Sequence, residues 1–408
     1  MSTVRPDSSE RLDATLRNRS GAPVSTRVER AAASVDHPAS GVPGVSAGVR
    51  TTSAGNATIS VVVIGATGYA GGEAVRILAR HPNVRLVGLV GRGRENEPVG
   101  SVHAHLATTG LAVDAAVPES DAIFLALPHG AAAQMVPEFV RQGRTVIDMG
   151  PDFRLRTAAD YPRWYGFEHP AKDLLANAVY GLPELHRDEL RALADTPARI
   201  VGAPGCYPTA TLLALAPLAR AGLIGDLVVD AKSGVSGAGR DAKADLMFSE
   251  VNESVKAYGL GGHRHVAEVE QELAAIAAAA PGGTASNPGA SLVDFLPHLI
   301  PMNRGILSTC HVRPTRAVSQ ADLDALYAEA YADEPFVTVV SAAPATRHVS
   351  GSNECRVFVR LDERTGRIIA IGVIDNLVKG AAGQAVQAFN LVHGLDERTG
   401  LEQLPLAP

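Results

Sequence analysis

The most constraining feature of this sequence is a glycine-rich turn between an apolar strand and a helix. Residues 58–64 read TISVVVI, a β-branched run typical of a strand that is buried on both faces. The run leads directly into GATGYAGG at 65–72, then into a helical stretch over 73–80 and a second strand over 84–90. Strand, turn, helix and strand within about thirty residues form one βαβ unit, so we expect a parallel sheet.

Further elements extend this pattern along the chain. Apolar strands are predicted at 122–127 and 145–149, each followed by a loop marked by Gly or Pro. Beyond residue 206, strands alternate with longer helices and loops, and the stretch 281–290 is predicted to be a surface loop. The predicted fold is α/β, with a doubly wound Rossmann-type parallel sheet and an α+β domain. The predicted divisions are a disordered extension (1–57), a cofactor domain (58–205), an α+β domain (206–374) and a C-terminal helix returning to the cofactor domain (375–408).

The first 57 residues differ from the rest in composition. They are rich in Arg, Ser, Ala, Pro and Gly, contain no lysine and show no sustained apolar period, which predicts disorder. Organelle transit peptides are also rich in Arg and Ser. They normally contain few acidic residues, however, whereas this segment includes Asp7, Glu10 and Asp13. We therefore expect a cytoplasmic protein, with plastid targeting as the alternative.

Composition excludes several other classes of protein. The net charge of -6 argues against a general nucleic-acid binder. The sequence contains no run of eighteen apolar residues, so no membrane span is predicted. The three cysteines are scattered without C-x-x-C spacing, which fits neither a disulfide framework nor a zinc site. We expect a small-molecule ligand, no metal and a reducing compartment.

The glycine spacing G-x-x-G-x-x-G is a variant of the dinucleotide-binding fingerprint. Small residues permit a tight turn and let the backbone approach a pyrophosphate at a helix N-terminus. The position between a strand and a helix supports this interpretation, although a glycine turn without a ligand is the alternative. The predicted cofactor-binding residues here are Gly65, Ala66, Thr67, Gly68, Tyr69, Ala70 and Gly71.

The end of the second strand bears on which dinucleotide binds. A carboxylate there binds a free ribose hydroxyl, but this strand ends in Gly91-Arg92-Gly93-Arg94. Because arginine suits a phosphate, NADP is favoured over NAD. Arg92 is the expected contact, and Arg94 is a possible solvated charge.

Cys206 lies in the run PGCYPT, just before a predicted helix. Pro208 suits the first helical position, and Gly222 can end the helix. A cysteine at a helix N-terminus is expected to favour thiolate over thiol and hence to be reactive. The alternative is a buried cysteine that serves only for packing, which is the stronger interpretation for Cys310 and Cys355.

A thiol nucleophile needs a proton acceptor or donor, and histidine is the usual one near neutral pH. The candidates are His263 and His265 in GGHRHVAE, and which of them acts is not fixed by the spacing. The glycine-rich run SGVSGAGR, which ends at Arg240, offers hydroxyls, amides and a charge that suit a phosphate or carboxylate. A flexible loop with a structural arginine is the alternative.

Taken together, these motifs resemble the N-acetyl-gamma-glutamyl-phosphate reductases, a family within the semialdehyde dehydrogenases. The resemblance covers about residues 58 to 408. It rests on GATGYAGGE at 65–73, LPHG at 127–130, PGCYPT at 204–209, SGVSGAGR at 233–240, HRH at 263–265, HLIP at 298–301 with Arg304 and Gly305, and DNLVKG at 375–380.

The resemblance implies NADPH-dependent reduction of an acyl phosphate to an aldehyde, through a thioester on Cys206 and with His263 as acid and base. It also implies a homodimer or homotetramer built through the second domain. The implied substrate-binding residues are Arg154, Ser236, Arg240, Tyr258 and Arg264. The implied further cofactor-binding residues are Pro128, Ser233, Gly234 and Asn376.

Two positions depart from the family pattern. Gly91 stands where a Ser or Thr is common, which puts part of the 2′-phosphate site in doubt, and Ala267 precedes Glu268 where Pro is usual. Two alternatives remain open. One is a reductase of an aminoadipyl phosphate borne by a carrier protein, and the other is a silent NADP-binding sensor. Aspartate-semialdehyde dehydrogenase fits less well, because its cysteine is not set in Gly-Cys-Tyr-Pro-Thr.

Overall fold

The computed structural model describes residues 58–279 and 292–406. The predicted disordered extension and the predicted surface loop at 281–290 lie outside the described residues. Within the part that is described, no helix is both long and apolar enough to span a bilayer.

The first half of the described chain builds a six-stranded sheet in the order β2-β1-β3-β4-β6-β5, with every neighbouring pair parallel. This confirms the Rossmann-type sheet, and the chain reverses its direction of winding between β1 and β3. The strands are β1 (Ile59–Ile64), β2 (Val84–Val90), β3 (Ala122–Leu125), β4 (Thr145–Asp148), β5 (Ala178–Tyr180) and β6 (Ile200–Gly202). The helices are α1 (Tyr69–Leu78), α2 (Val99–Val102), α3 (Ala132–Arg141), α4 (Asp160–Tyr165) and α5 (Pro183–Ala192).

Helix α1 begins four residues before the predicted start at residue 73. Gly71 and Gly72 are poor helix formers, so the sequence pattern placed them in the turn. In the fold, their missing side chains make room for neighbours, because a Cβ at Gly72 would lie 2.5 Å from Nε2 of His103. Close packing therefore overrides helix propensity here.

The second half builds a seven-stranded mixed sheet in the order β11-β12-β13-β10-β7-β9-β8. Its strands are β7 (Ile224–Gly234), β8 (Lys256–Ala257), β9 (Asp294–Ile300), β10 (Ile306–Pro314), β11 (Val337–Val339), β12 (Cys355–Asp362) and β13 (Arg367–Ile374). Its helices are α6 (Cys206–Arg220), α7 (Phe248–Val251), α8 (His265–Ala279) and α9 (Gln320–Ala330), followed by α10 (Gly383–Val392).

Helix α6 is the central element of the second core. Its sequence is apolar on all sides, as expected for a helix enclosed by protein, and it packs against α8, β10 and β13. Helix α10 instead joins the core of the first sheet, where Phe389 packs against Phe124 of β3 with ring centroids 5.5 Å apart. The chain thus returns to the first sheet after completing the second.

An ion-pair network joins helix α1 of the first half of the chain to the β9–β10 loop of the second half. Glu73 of α1 is 2% exposed and accepts two hydrogen bonds, at 3.1 and 3.0 Å, from Arg304 in the β9–β10 loop. Arg76 donates to the same carboxylate at 2.8 Å, and Arg304 also approaches Asp375 at 3.5 Å. Burial alone would raise the pKa of Glu73, but the two arginines outweigh burial and bring that pKa to about 2.

We expect Glu73 to stabilise the fold above its ordinary pKa of 4.5 and to lose this effect as pH falls toward 2. Glu73→Gln should lower the free energy of unfolding by about 3 kcal/mol at neutral pH, and the difference from wild type should shrink below pH 4.5. Denaturant unfolding across pH measures this. Glu138→Gln, which breaks an exposed pair with Arg141, is the matched control and should change little. If Glu73→Gln lowered the free energy of unfolding by the same amount at every pH, this would contradict the lowered pKa of Glu73.

Candidate active site

The glycine loop after β1 meets the end of β3 at the reversal of the sheet. Gly65 has φ +86, and a Cβ there would collide with the Ala126 carbonyl, so only glycine fits. A Cβ at Gly71 would collide with the Gly65 carbonyl. At Gly68 the nearest protein atom would be 3.5 Å from a Cβ, so no protein contact requires glycine at this position. The space beside Gly68 is where the fingerprint places a pyrophosphate.

The N-terminus of α1 also suits an anion. Gly68 is its N-cap residue, and no side chain caps the first amides of the helix. Those amides have no intrahelical partner and point along the positive end of the helix dipole. Nε2 of His103 hydrogen-bonds the Ala66 carbonyl at 3.0 Å and supports the loop from behind. The residues present therefore fit a dinucleotide.

The tip of β2 explains the departure at Gly91. A Cβ at Gly91 would lie 2.4 Å from Cγ2 of Thr67 in the glycine loop, so a Ser or Thr at this position would require the Thr67 side chain to move. Arg94 forms an exposed ion pair with Glu97 at 3.1 Å, whereas Arg92 is exposed at the residue next to Gly91. This geometry favours Arg92 over Arg94 as a ligand for a phosphate.

Cys206 is the first residue of α6, and Gly205 is the extended N-cap residue. The predicted position at a helix N-terminus is therefore confirmed. Pro208, however, is the third helical residue and not the first as predicted. It is tolerated there because the early amides of a helix lack intrahelical acceptors in any case.

The surroundings of the half-buried Cys206 oppose the thiolate that its place at a helix N-terminus was expected to favour. Burial raises the pKa of the Cys206 thiol above its ordinary value of 9.0. The positive charge of Arg154 and the Tyr207 amide act in the opposite direction but do not outweigh burial. Desolvation is a tertiary effect, and the sequence pattern could not reveal it.

A buried carboxylate lies beneath the nucleophile. Glu268, in the first turn of α8, is fully buried and accepts a hydrogen bond of 2.9 Å from the backbone N–H of Gly205. Arg154 donates to Glu268 at 3.0 Å, and its other donors reach the carbonyls of Ala203 and Met149 at 2.7 and 3.0 Å. The hydroxyls of Tyr165 and Tyr180 complete the carboxylate's partners at 3.3 and 3.0 Å.

These contacts give Arg154 a structural task that the sequence did not predict. Arg154 is 8% exposed, and its guanidinium fixes the backbone just before Cys206. Direct binding of substrate by Arg154 stays a prediction. Glu268 itself was not predicted as a site residue, because a carboxylate in the first turn of a helix normally indicates a solvated charge that stabilises the dipole.

The two candidate histidines have different environments. His263 is half-buried, and its Nδ1 accepts the backbone N–H of His265 at 3.2 Å, which leaves the proton of the neutral ring on Nε2. Burial and the nearby Arg264 lower the pKa of His263 to about 4. His265 is buried, with Nε2 packed against Gly205 and Nδ1 without a hydrogen-bond partner among the described residues. Both rings are therefore neutral at physiological pH.

Aromatic residues frame these histidines. The ring of His263 lies 5.7 Å from Tyr207 and 5.5 Å from Tyr258, measured between centroids. The Tyr258 hydroxyl donates to that of Tyr207 at 3.2 Å, and Tyr207 in turn donates to the His298 carbonyl. Arg264 is exposed and close enough to lower the pKa of His263 and to oppose the rise at Cys206.

The other predicted site residues lie at or just after the carboxyl ends of β3, β7 and β13. Nδ2 of Asn376 donates to the Ser236 hydroxyl at 2.9 Å, and its Oδ1 accepts the Gly305 N–H at 2.7 Å. Arg240 donates to the Thr67 carbonyl at 3.0 Å, which places it on the glycine loop. Substrate contact by Ser236 and Arg240 therefore stays a prediction. Ser233 is buried, Gly234 packs against the Asn303 carbonyl, and Pro128 is exposed just beyond β3.

Within the two described segments, no group of three or more His, Cys, Asp or Glu side chains is arranged to hold a metal ion. The chemistry available here is that of a thiol, a neutral imidazole and an exposed guanidinium, next to a loop that fits a dinucleotide.

We expect iodoacetamide to alkylate Cys206 slowly at neutral pH in the ligand-free protein, with a rate midpoint above pH 9.0, because burial raises the pKa of this thiol. Peptide mass spectrometry across pH measures the rate. Cys310 and Cys355 are buried with pKa values raised to about 12, and they are internal controls that should stay unmodified. A midpoint below pH 9.0 would mean that the helix N-terminus outweighs burial, contrary to this account.

Comparison with known proteins agrees with this geometry. Residues 60–193 match the family model described as semialdehyde dehydrogenase, NAD binding domain, and residues 206–376 match semialdehyde dehydrogenase, dimerisation domain. Among solved structures, the aspartate semialdehyde dehydrogenase II of Vibrio cholerae aligns with a TM-score of 0.60 at 18% identity, covering 83% of this chain and 99% of that one. The Candida albicans aspartate semialdehyde dehydrogenase with NADP gives 0.60 at 14% identity, with coverage of 83% and 99%. These likenesses show the fold.

Sequence relatives are much closer. The N-acetyl-gamma-glutamyl-phosphate reductase of Heliobacterium modesticaldum is 46% identical over 362 residues, covering 86% of this chain and all of the relative. The reductase of the same name from Desulforudis audaxviator is 46% identical over 354 residues, covering 84% and 98%. The chain therefore belongs to the N-acetyl-gamma-glutamyl-phosphate reductase family of the semialdehyde dehydrogenases.

Proposed function

We propose that this enzyme reduces N-acetylglutamyl 5-phosphate to N-acetylglutamate 5-semialdehyde and phosphate with NADPH, in arginine biosynthesis. The observation that carries the proposal is the position of Cys206 at the start of α6. Arg264 lies close enough to lower the pKa of His263 and to oppose the rise in the pKa of the Cys206 thiol. The relatives' shared name supports the choice of acyl group.

The proposed reaction begins with attack of the Cys206 sulfur on the acyl carbon. A C–S bond forms, the C–O bond to phosphate breaks, and the thiol proton leaves with phosphate or solvent. Because burial raises the pKa of the ligand-free thiol, the thiolate must be produced when substrate binds. The exposed Arg264 guanidinium is suited to hold the substrate's carboxylate or phosphate near the sulfur.

His263 is proposed to supply the proton in the second half of the reaction. When bound, the reduced nicotinamide supplies the hydride that converts the thioester on Cys206 into a thiohemiacetal. The Nε2–H of neutral His263 is suited to hydrogen-bond the oxygen on which negative charge develops. To act as the acid, the ring must first take up a proton, which the negative charge of the bound substrate favours. The imidazolium then gives one proton to the thiohemiacetal oxygen, and the neutral ring takes a proton back from that hydroxyl as the C–S bond breaks. His265 is the alternative, because its ring packs directly against Gly205.

The cofactor is proposed to be NADP. The glycine loop and the uncapped N-terminus of α1 would hold its pyrophosphate, and the exposed Arg92 would contact the 2′-phosphate. Asn376, Ser233, Gly234 and Pro128 would border the nicotinamide half. We also propose a homodimer or homotetramer formed through the matched dimerisation domain, a cytoplasmic location, and domain boundaries after residues 57, 205 and 374.

The aminoadipyl phosphate reductase remains a second candidate, because no described contact distinguishes the length of the acyl chain. A silent NADP-binding sensor is disfavoured by the reactive constellation of Cys206 and His263, which such a protein would not need.

We expect the purified protein to oxidise N-acetylglutamate semialdehyde only when phosphate and NADP are both present, as followed by NADPH absorbance. Cys206→Ser should lower kcat by about 1,000-fold or more, because an unactivated hydroxyl is a poor nucleophile. Cys310→Ser is the matched control and should retain activity. Turnover of Cys206→Ser near the wild-type rate would refute the covalent mechanism, and faster turnover of carrier-bound aminoadipyl substrate would select the alternative.

Two neighbouring arginines allow a matched test of cofactor choice. Arg92→Ala should reduce the ratio of kcat/KM with NADP to that with NAD by about tenfold or more, because an unpaired phosphate loses its charged partner. Arg94 is already engaged with Glu97, so Arg94→Ala should leave the ratio nearly unchanged. An unchanged ratio for Arg92→Ala would remove Arg92 from the cofactor site.

A further inference from the structure

A π-helical turn, Val378–Ala382, lies directly against the nucleophile. Its backbone hydrogen bonds span five residues, from the Gly380 N–H to the Asp375 carbonyl and from the Ala382 N–H to the Leu377 carbonyl, both at 2.9 Å. The Asp375 carboxylate caps the turn through the amides of Leu377 and Val378 at 2.9 and 3.1 Å. Such turns are uncommon and are frequently found at functional sites.

Gly380 is the point of contact between this turn and Cys206. A Cβ at Gly380 would lie 2.8 Å from the Cβ and 3.2 Å from the Cα of Cys206, and 3.2 Å from Cδ1 of Ile374. The backbone conformation of Gly380 is not left-handed, so sterics alone excludes a larger residue. The absence of a side chain lets the turn pack flush against the nucleophile.

Lys379, the residue before Gly380, carries a fully buried charge. Lys379 and Glu184 of α5 have no exposed side-chain surface, and Nζ of Lys379 lies 2.6 Å from Oε1 of Glu184. Nζ also donates to Oε1 of Gln387 at 2.7 Å. Burial would raise the pKa of Glu184, but Lys379 outweighs it and holds that pKa below its ordinary value.

A buried ion pair of this kind contributes little to the stability of the fold. Desolvation of two charges consumes much of their attraction, and well-packed apolar replacements are often as stable. Here Oε2 of Glu184 also has no hydrogen-bond partner among the described residues. The pair does fix one geometry, because it ties the π-helical turn to α5 at the residue next to Gly380.

We propose that the buried Lys379–Glu184 pair is a positioning device that holds Gly380 against Cys206 and so fixes the nucleophile for attack. Lys379 and Glu184 are positioning residues, since they act through Gly380. The same turn follows Asn376, so one anchored segment sets both the thiol and the edge of the cofactor site. The proposal rests on Cys206 being the nucleophile of the proposed function.

The double variant Lys379→Met with Glu184→Gln removes the charges together and leaves no unpaired ion. We expect kcat to fall about tenfold or more with KM for the acyl phosphate within about twofold, because geometry at the sulfur changes and substrate contacts do not. The rate of Cys206 alkylation should rise about threefold or more as the turn loosens. Glu334→Gln breaks another ion pair of α5, with Arg187, and is the control expected to change neither rate.

Gly380→Ala tests the contact itself and does not depend on folding of the double variant. It should lower kcat by about 100-fold and change the alkylation rate, whereas Ala381→Ser in the same turn should not. If wild type proves inactive on the acyl phosphate, the proposed function fails and the alkylation rates alone decide the positioning role. Folded Gly380→Ala or double variants with wild-type kcat and wild-type alkylation would overturn the proposal.

Discussion

The hydrogen bond between the Glu268 carboxylate and the Gly205 N–H is the interaction on which the rest of the site depends. It anchors the N-cap of α6 to the first turn of α8, which carries His265 and follows His263. The same carboxylate is neutralised by Arg154, whose other donors hold the strand ends before the cysteine. Nucleophile and histidines are thus fixed by one buried charge and its partners, since an unpaired carboxylate could not remain there.

This arrangement places opposing demands on Cys206. Cys206 is half-buried, so the surrounding protein limits the access of water that would hydrolyse a thioester, but the same burial disfavours the thiolate in the ligand-free protein. Arg154 and Arg264 reduce the cost without removing it. A thiol that becomes fully nucleophilic only when its substrate is present is consistent with this balance, and it limits side reactions of the free enzyme.

The sequence predicted those parts of the fold that follow from local periodicity. The strands β1 and β2 and the start of the glycine turn were located to within a residue or two, because a β-branched run and a G-x-x-G-x-x-G turn each have a local physical cause. The order of motifs identified the family. The start of α1 and the position of Pro208 in α6 were wrong, because packing at Gly72 and the N-cap at Gly205 were decided by distant residues.

The charged interior of the site could not be predicted in this way. Arg154 and Glu268 lie 114 positions apart in sequence, and each alone is typical of a solvated surface. Their burial, the raised pKa of Cys206 and the contact of Arg240 with Thr67 all arise when α8 packs on α6 and the second sheet meets the glycine loop. Only the assembled fold brings these groups together.

The central claim is that the acyl group passes through a thioester on Cys206. Its most direct test is to mix the enzyme with N-acetylglutamyl phosphate in the absence of any nicotinamide cofactor and to examine the intact protein and its peptides by mass spectrometry. The account predicts release of phosphate equal to the enzyme concentration and an N-acetylglutamyl adduct located on Cys206. Phosphate release that requires NADPH, with no adduct on Cys206, would contradict it.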